Sequence, residues 1–161
     1  MYMNANYTIF QIAKWFLEKD SMTLKRLQKL CYYAQAWFYT LKRVKLADTE
    51  YEAWAHGPVS PALWGKLKGK YYDYGPMYDF NVSDLPNSVN ITDPDDIELL
   101  EMVWNTYGDQ SGTSLEALSH SEKPWKNARG NCSEGERCNS VISLESMRDY
   151  YSSIYEGDYG E

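Results

Sequence analysis

One helix constrains this chain more than any other feature. After Thr23, the apolar positions Leu24, Leu27, Cys31, Ala34, Phe38 and Leu41 recur at spacings of three and four, and a second stripe, Leu30, Tyr33 and Trp37, runs beside them. Together they form an arc wider than the single apolar stripe of a surface helix, so the segment needs neighbours on more than one side. It is the expected central helix of a layered helical domain. Heptad spacing also occurs in coiled coils, but fewer than three heptads are present.

The neighbours are readable from their caps. Thr8 with Gln11 forms a capping box ahead of Ile9, Ile12, Ala13, Phe16 and Leu17. Ser60 caps and Pro61 opens a helix carrying Leu63, Trp64 and Leu67. Asp93-Pro94 starts another, with Asp95, Asp96 and Glu98 at its positive end, Ile97, Leu100, Val103, Trp104 and Tyr107 inward, and Gly108 as its stop. Thr113 with Glu116 predicts a further capping box before Leu115 and Leu118. Pro124 to Arg129 reads as a short helix or turn closed by Gly130, and Ser143 caps a last helix with Leu144, Met147, Tyr151 and Ile154 inward. The tail from Glu156 to Glu161 is expected to fray.

Only Glu50 to Ala55 alternates as a short strand does, and His56-Gly57-Pro58-Val59 punctuates it. Residues 69–92, rich in Tyr, Asp, Asn, Gly and Pro, read as a long connection, the kind of segment that is often functional. The expectation is a mainly α, single compact multi-helix domain over residues 1–161, its core about 7–155, with at most a small β element near residues 50–56.

With 161 residues the chain is long enough for a core of its own. Its aromatic share is unusual: 15 Tyr and 6 Trp bring aromatics to 16%. Tyr and Trp serve cores and interfaces equally well, so the excess points to a protein partner. Charge is uneven. Residues 1–70 hold 11 Lys/Arg and 5 Asp/Glu, residues 71–161 hold 5 and 18, and the net is −7. An acidic half steers a basic partner, unless it is only a solvated face.

No stretch is long and apolar enough for a membrane span, and Met1 to Asn6 lacks the charged start and apolar run of a signal peptide. A cytoplasmic protein is the expectation. The odd count of three Cys reads as reduced thiols, with a Cys132–Cys138 bridge as the alternative.

Catalytic chemistry finds no foothold. The two histidines, His56 and His120, do not form a close pair, and no HExxH is present. Cys132 and Cys138 are spaced more widely than a zinc-knuckle pair, and Asp93 to Asp96 lacks the glycine and terminal glutamate of a calcium loop. Phosphate loops and nucleophile elbows are missing too. The expectation is no enzyme, no cofactor and no metal. Lys25, Arg26 and Lys29, followed by Lys42, Arg43 and Lys45, and by Lys66, Lys68 and Lys70, are the material for a basic patch. An overall pI near 4.9 makes nucleic acid an unfavoured partner. Lys29 is instead expected to pair with a carboxylate of the second half.

Three blocks carry a resemblance: Leu27 to Trp37 (LQKLCYYAQAW), Glu52 to Pro61 (EAWAHGPVSP) and Leu118 to Arg129 (LSHSEKPWKNAR). In this order and spacing they resemble the Panacea domain, the family of SocA-like antitoxins and GepA-type phage-associated proteins, over about Tyr7 to Tyr155. The resemblance implies a cytoplasmic antitoxin of a toxin–antitoxin system that neutralises a cognate protein toxin by direct contact, the toxin being encoded by the adjacent gene. It implies a shared helical core paired with unlike toxins, some of them nucleotide- or tRNA-modifying small alarmone synthetases. It also carries an alternative, a proteolytic adaptor that delivers the toxin to a protease, while Lys25, Arg26, Lys29 and the basic residues after them leave a nucleic-acid-binding regulator as another.

Of the residues matching the family motifs, Lys29, Tyr33, Trp54, Gly57, Pro58, His120, Pro124 and Trp125 are expected to be structural, since a scaffold that meets unlike partners should vary at its contacts. Toxin contact is therefore expected outside the motifs, at Tyr71, Tyr72, Asp73, Tyr74, Tyr78, Asp79 and Phe80, because exposed tyrosines give large contact area at little rotamer cost. Packing of the same rings under the connection is the rival. The stretch Asn131 to Asn139, with its two cysteines, departs from the family pattern as a local insertion.

Overall fold

Leu24–Lys42 is the longest helix and the centre of the molecule. The computed structural model describes residues 5–159, with side chains as far as residue 155. Within it, α1 is Ile9–Leu17, α2 Leu24–Lys42, α3 Pro61–Tyr74, α4 Pro94–Tyr107, α5 Gly112–His120, α6 Lys123–Arg129 and α7 Leu144–Tyr159. The short strands are β1 Tyr51–Trp54, β2 Gly57–Val59 and β3 Val141–Ile142. The protein is thus mainly α with one small sheet.

The wide apolar arc of α2 meets α7, α5, α4 and α1, the neighbours its two stripes require. Leu27, Leu30, Tyr33, Ala34 and Phe38 are fully buried within it. The helix is closed by Arg43, whose N–H makes the last helical bond to Tyr39 O at 3.0 Å and whose backbone then turns left-handed at φ 58°. α1 lays Ile9, Ile12, Ala13 and Phe16 against α2, and its Thr8/Gln11 capping box is formed in both directions. Thr23, Ser60, Asp93 and Ser143 accept the backbone hydrogen bonds expected of caps.

The sheet is antiparallel in the order β2-β1-β3. Glu52 pairs with Val59 and with Val141, so β1 is the middle strand. The segment read as punctuation, Gly57-Pro58-Val59, is therefore a strand, paired back on β1 through the tight turn at Ala55-His56.

Several expectations are corrected. α5 is capped by Ser111, whose hydroxyl accepts from Ser114 N, and not by Thr113. α3 runs on to Tyr74, so the connection begins at Gly75 and holds one 3-10 turn, Val82–Asp84. Leu63, Leu67 and Tyr71, four apart, carry the buried side of α3 past Gly65 and Gly69, which had lowered its helical signal. The connection is held down by Met22 and Phe80, which exchange backbone hydrogen bonds at 3.0 and 2.8 Å. Cys132 and Cys138 are joined as a disulfide, where reduced thiols were expected, because the chain doubles back at Gly135 (φ 78°) and brings the two Cα atoms within 6.3 Å. Cys31 is a buried free thiol. The tail expected to fray continues α7 as far as Tyr159; residues 160 and 161, like 1–4, lie outside the described residues. No helix among those residues is long and apolar enough to cross a membrane.

Candidate functional site

Two sets of residues compete for the functional role: the motif residues, and the tyrosines of α3 with the segment after it. The motif residues converge on one side of α2, where three buried polar side chains hold backbone. Gln28 pairs with Ser60 like a strand partner, accepting from its N–H at 2.9 Å and donating to its carbonyl at 3.1 Å. One turn and more further on, Gln35 accepts from Ala47 N at 2.9 Å and donates to Ala47 O at 3.3 Å. Between them Lys29 Nζ, 1% exposed, donates to Pro58 O at 3.1 Å. The carboxylate expected as its partner is absent: Lys29 meets a carbonyl, and burial lowers its pKa to about 7, offset in part by the nearby charge of Glu116.

Gly57 is required by this arrangement. Its φ is 109°, and a Cβ there would stand 2.4 Å from Lys29 Cε. α5 and α6 close the cluster from the far side. The His120 ring stacks on Trp125 with centroids 3.9 Å apart, Trp125 Nε1 donates to Trp54 O at 2.9 Å, and Pro124 is buried. Arg129 lies over the Trp125 ring and donates to Ala53 O at 3.1 Å. Deeper still, Glu122 Oε1 accepts from Tyr33 and Tyr151 hydroxyls at 2.8 and 2.7 Å. Burial raises the Glu122 carboxyl pKa, and the two tyrosine donors oppose the shift.

Chemically, this cluster is nearly closed. Lys29, Gln28, Gln35, Trp125 and Arg129 all end on backbone carbonyls. His120 Nε2 is buried without a partner among the described residues, and burial lowers the pKa of that ring. At the rim, Glu116 meets Lys25 at 2.7 Å and His56 at 3.2 Å. Its burial alone would raise the carboxyl pKa, but those two partners hold it below the usual range. Among the described residues no group of three or more His, Cys, Asp or Glu is placed to hold a metal.

The second set lies on α3 and the segment after it, and touches the first where Trp64 meets Trp54 at 5.9 Å. Tyr72 is 71% and Tyr74 67% exposed on α3, and Met77, just beyond, is 79% exposed. Asp73 and Asp79 are exposed with them, while Tyr71 and Tyr78 are half-buried. Phe80 is fully buried and belongs to the core, so its ring is removed from any contact surface. The exposed rings are braced: Tyr74 stacks on Tyr78 at 5.1 Å, Tyr78 meets Phe80 edge-on at 4.7 Å, and Trp64 touches Tyr71 and Tyr72 at 5.1 and 5.7 Å. Exposed rings and packed rings are thus both present, in different members of the set. Lys66 and Lys68 are exposed on the same helix, and Lys70 pairs with Asp84.

Of the residues that were material for a basic patch, Arg43, Lys66 and Lys68 are exposed, while those on α2 are engaged. Lys29 is buried, Lys25 is paired with Glu116, Arg26 with Asp20, and Lys42 with Asp96. Arg26 also donates to Gly108 O.

Comparison with known proteins bears on the same residues. The family model described as "Antitoxin SocA-like, Panacea domain" matches residues 27–126, from Leu27 on α2 to Lys126 on α6. Antitoxin SocA of Caulobacter vibrioides (strain NA1000 / CB15N) is 34% identical over 108 residues, 62% of this chain and 55% of its own length. The chain therefore spans about half the length of this curated relative. No solved structure matches it. Since the matched stretch is well over half of the chain and holds the backbone-holding face of α2 together with its α5–α6 cover, the chain belongs to the SocA-like antitoxin family of Panacea-domain proteins.

Proposed function

We propose that this chain is the antitoxin of a toxin–antitoxin pair and neutralises a protein toxin by direct contact, without catalysis of its own. The observation that carries the reading is the exposure of Tyr72 and Tyr74 on α3 and of Met77 just beyond its end, with Tyr72 braced by Trp64 and Tyr74 by Tyr78. Rings held this way lose little freedom on binding and supply large contact area. The motif cluster, in contrast, holds backbone: it fixes the hairpin, the start of α3 and the loop after α2, and so presents the α3 surface. Membership of an antitoxin family supports the role, and so does the name of the Caulobacter relative.

Co-expression with the product of the adjacent gene tests this reading, with growth and copurification as readouts. Direct neutralisation predicts rescued growth together with a stable complex. The double variant Tyr72→Ala/Tyr74→Ala should weaken that complex by about 10-fold or more and leave the melting temperature within a few degrees, since both rings are exposed. Rescue accompanied by disappearance of the toxin, and no complex, would transfer the role to a proteolytic adaptor.

A further inference from the structure

Away from α3, exposed apolar side chains come together at a second place. Met102 on α4 is 50% and Ile154 on α7 38% exposed, and both line a groove of about 320 Å³ whose floor is Trp37 and Leu41 of α2 with Tyr107 of α4. The floor is fixed. Trp37 Nε1 donates to the Tyr107 hydroxyl at 2.8 Å, and Tyr107 stacks on Tyr33 with centroids 4.1 Å apart. Met102 at the lip is adaptable, as an unbranched thioether side chain is.

Beside the groove, the unpaired charge among the described residues of α4 has one sign. α4 holds Asp95, Asp96, Glu98 and Glu101 and neither Lys nor Arg. Asp96 is paired with Lys42 and Glu101 with Lys19. Asp95 and Glu98 are exposed and form no ion pair among the described residues. They stand one turn before Leu99 and Met102 respectively, on the face that lines the groove. An apolar floor with unpaired charges of one sign beside it is the anatomy of a contact patch for an oppositely charged partner.

We infer that this groove is a second toxin contact, taking an apolar side chain from a toxin segment that presents Lys or Arg beside it. The identity of the occupant rests on the antitoxin reading above. A second copy of this chain fits poorly, because a two-fold contact would bring the same acidic face of α4 against itself. The groove also differs from the α3 surface, where exposed charges of both signs, Lys66, Lys68, Asp73 and Asp79, accompany the tyrosines.

The test places a photo-crosslinking residue at position 102 in the full chain, co-expressed with the product of the adjacent gene. The expected result is a crosslink into a toxin segment that contains Lys or Arg. In parallel, Asp95→Lys/Glu98→Lys should slow association with that toxin by about 10-fold at low salt, with the difference shrinking as salt is raised. The milder pair Asp95→Asn/Glu98→Gln should shift the rate in the same direction by less. A wild-type complex that forms without a crosslink from position 102, a crosslink to a second copy of this chain, or an unchanged rate in both double variants would overturn the inference and leave the antitoxin reading standing. Failure of the wild-type chain to bind the toxin at all would remove both.

Discussion

At the scale of single residues, Lys29 and Gly57 act as one unit. A buried ammonium with one carbonyl for a partner is disfavoured by desolvation, which lowers its pKa to about 7 from 10.5. Between those two values the unfolded chain binds a proton that the folded chain releases. This group therefore makes stability rise with pH across that window, and below it both states are protonated and the cost is constant. Lys29→Met should flatten the rise in urea midpoint between about pH 7 and 9.5, a range chosen to stay below tyrosine ionisation. An unchanged slope in the variant would show that the amine is not held as described. Gly57→Ala should cost about 3 kcal/mol, from a φ of 109° that alanine resists and from contact with the lysine stem. Thermal or urea unfolding of that variant measures it, and a loss below about 0.5 kcal/mol would mean that the hairpin turn adapts freely.

At the scale of elements, the helix ends carry the clearest local signals. Arg43 terminates α2 in the left-handed region without being glycine. Arg43→Gly should relieve about 1 kcal/mol of backbone strain, less roughly 0.5 kcal/mol for the guanidinium lost from the Tyr39 ring, for a small net gain in melting temperature. The apolar arc of α2 and the caps at Thr8, Thr23, Ser60, Asp93 and Ser143 were legible because they depend on neighbours in sequence. What was not legible depends on distant partners. β2 and β3 are three and two residues long and exist only through pairing with β1. The last turns of α3 were obscured by two glycines and a run of Tyr and Asp, although Leu63, Leu67 and Tyr71 kept the helical interval. The partner of Lys29 could not be read, since nothing in the spacing of residues 27–37 shows that a carbonyl from residue 58 lies over it. Phe80 was grouped with its exposed neighbours for the same reason; the backbone pairing with Met22 that draws it inward spans nearly sixty residues of sequence.

At the scale of the molecule, a nearly closed polar cluster stands beside two surfaces that carry exposed apolar side chains. The cluster binds α2 to the hairpin, to the start of α3 and to the loop that follows α2. Gln28, Lys29, Gln35, Trp125 and Arg129 are all consumed by backbone carbonyls, as a scaffold role for these motif residues requires. The α3 surface is aromatic with charges of both signs beside it, from Lys66, Lys68, Asp73 and Asp79, and the α4–α7 groove is apolar with the carboxylates of Asp95 and Glu98, unpaired among the described residues, beside it. The measurement that goes most directly to the central claim is a titration of the purified toxin, as encoded by the adjacent gene, with this purified chain in the absence of any protease, reading toxin activity. Direct neutralisation predicts that activity falls to zero at a fixed stoichiometric ratio and that Tyr72→Ala/Tyr74→Ala shifts the curve to higher concentration. Full toxin activity at a large excess of the chain would contradict it.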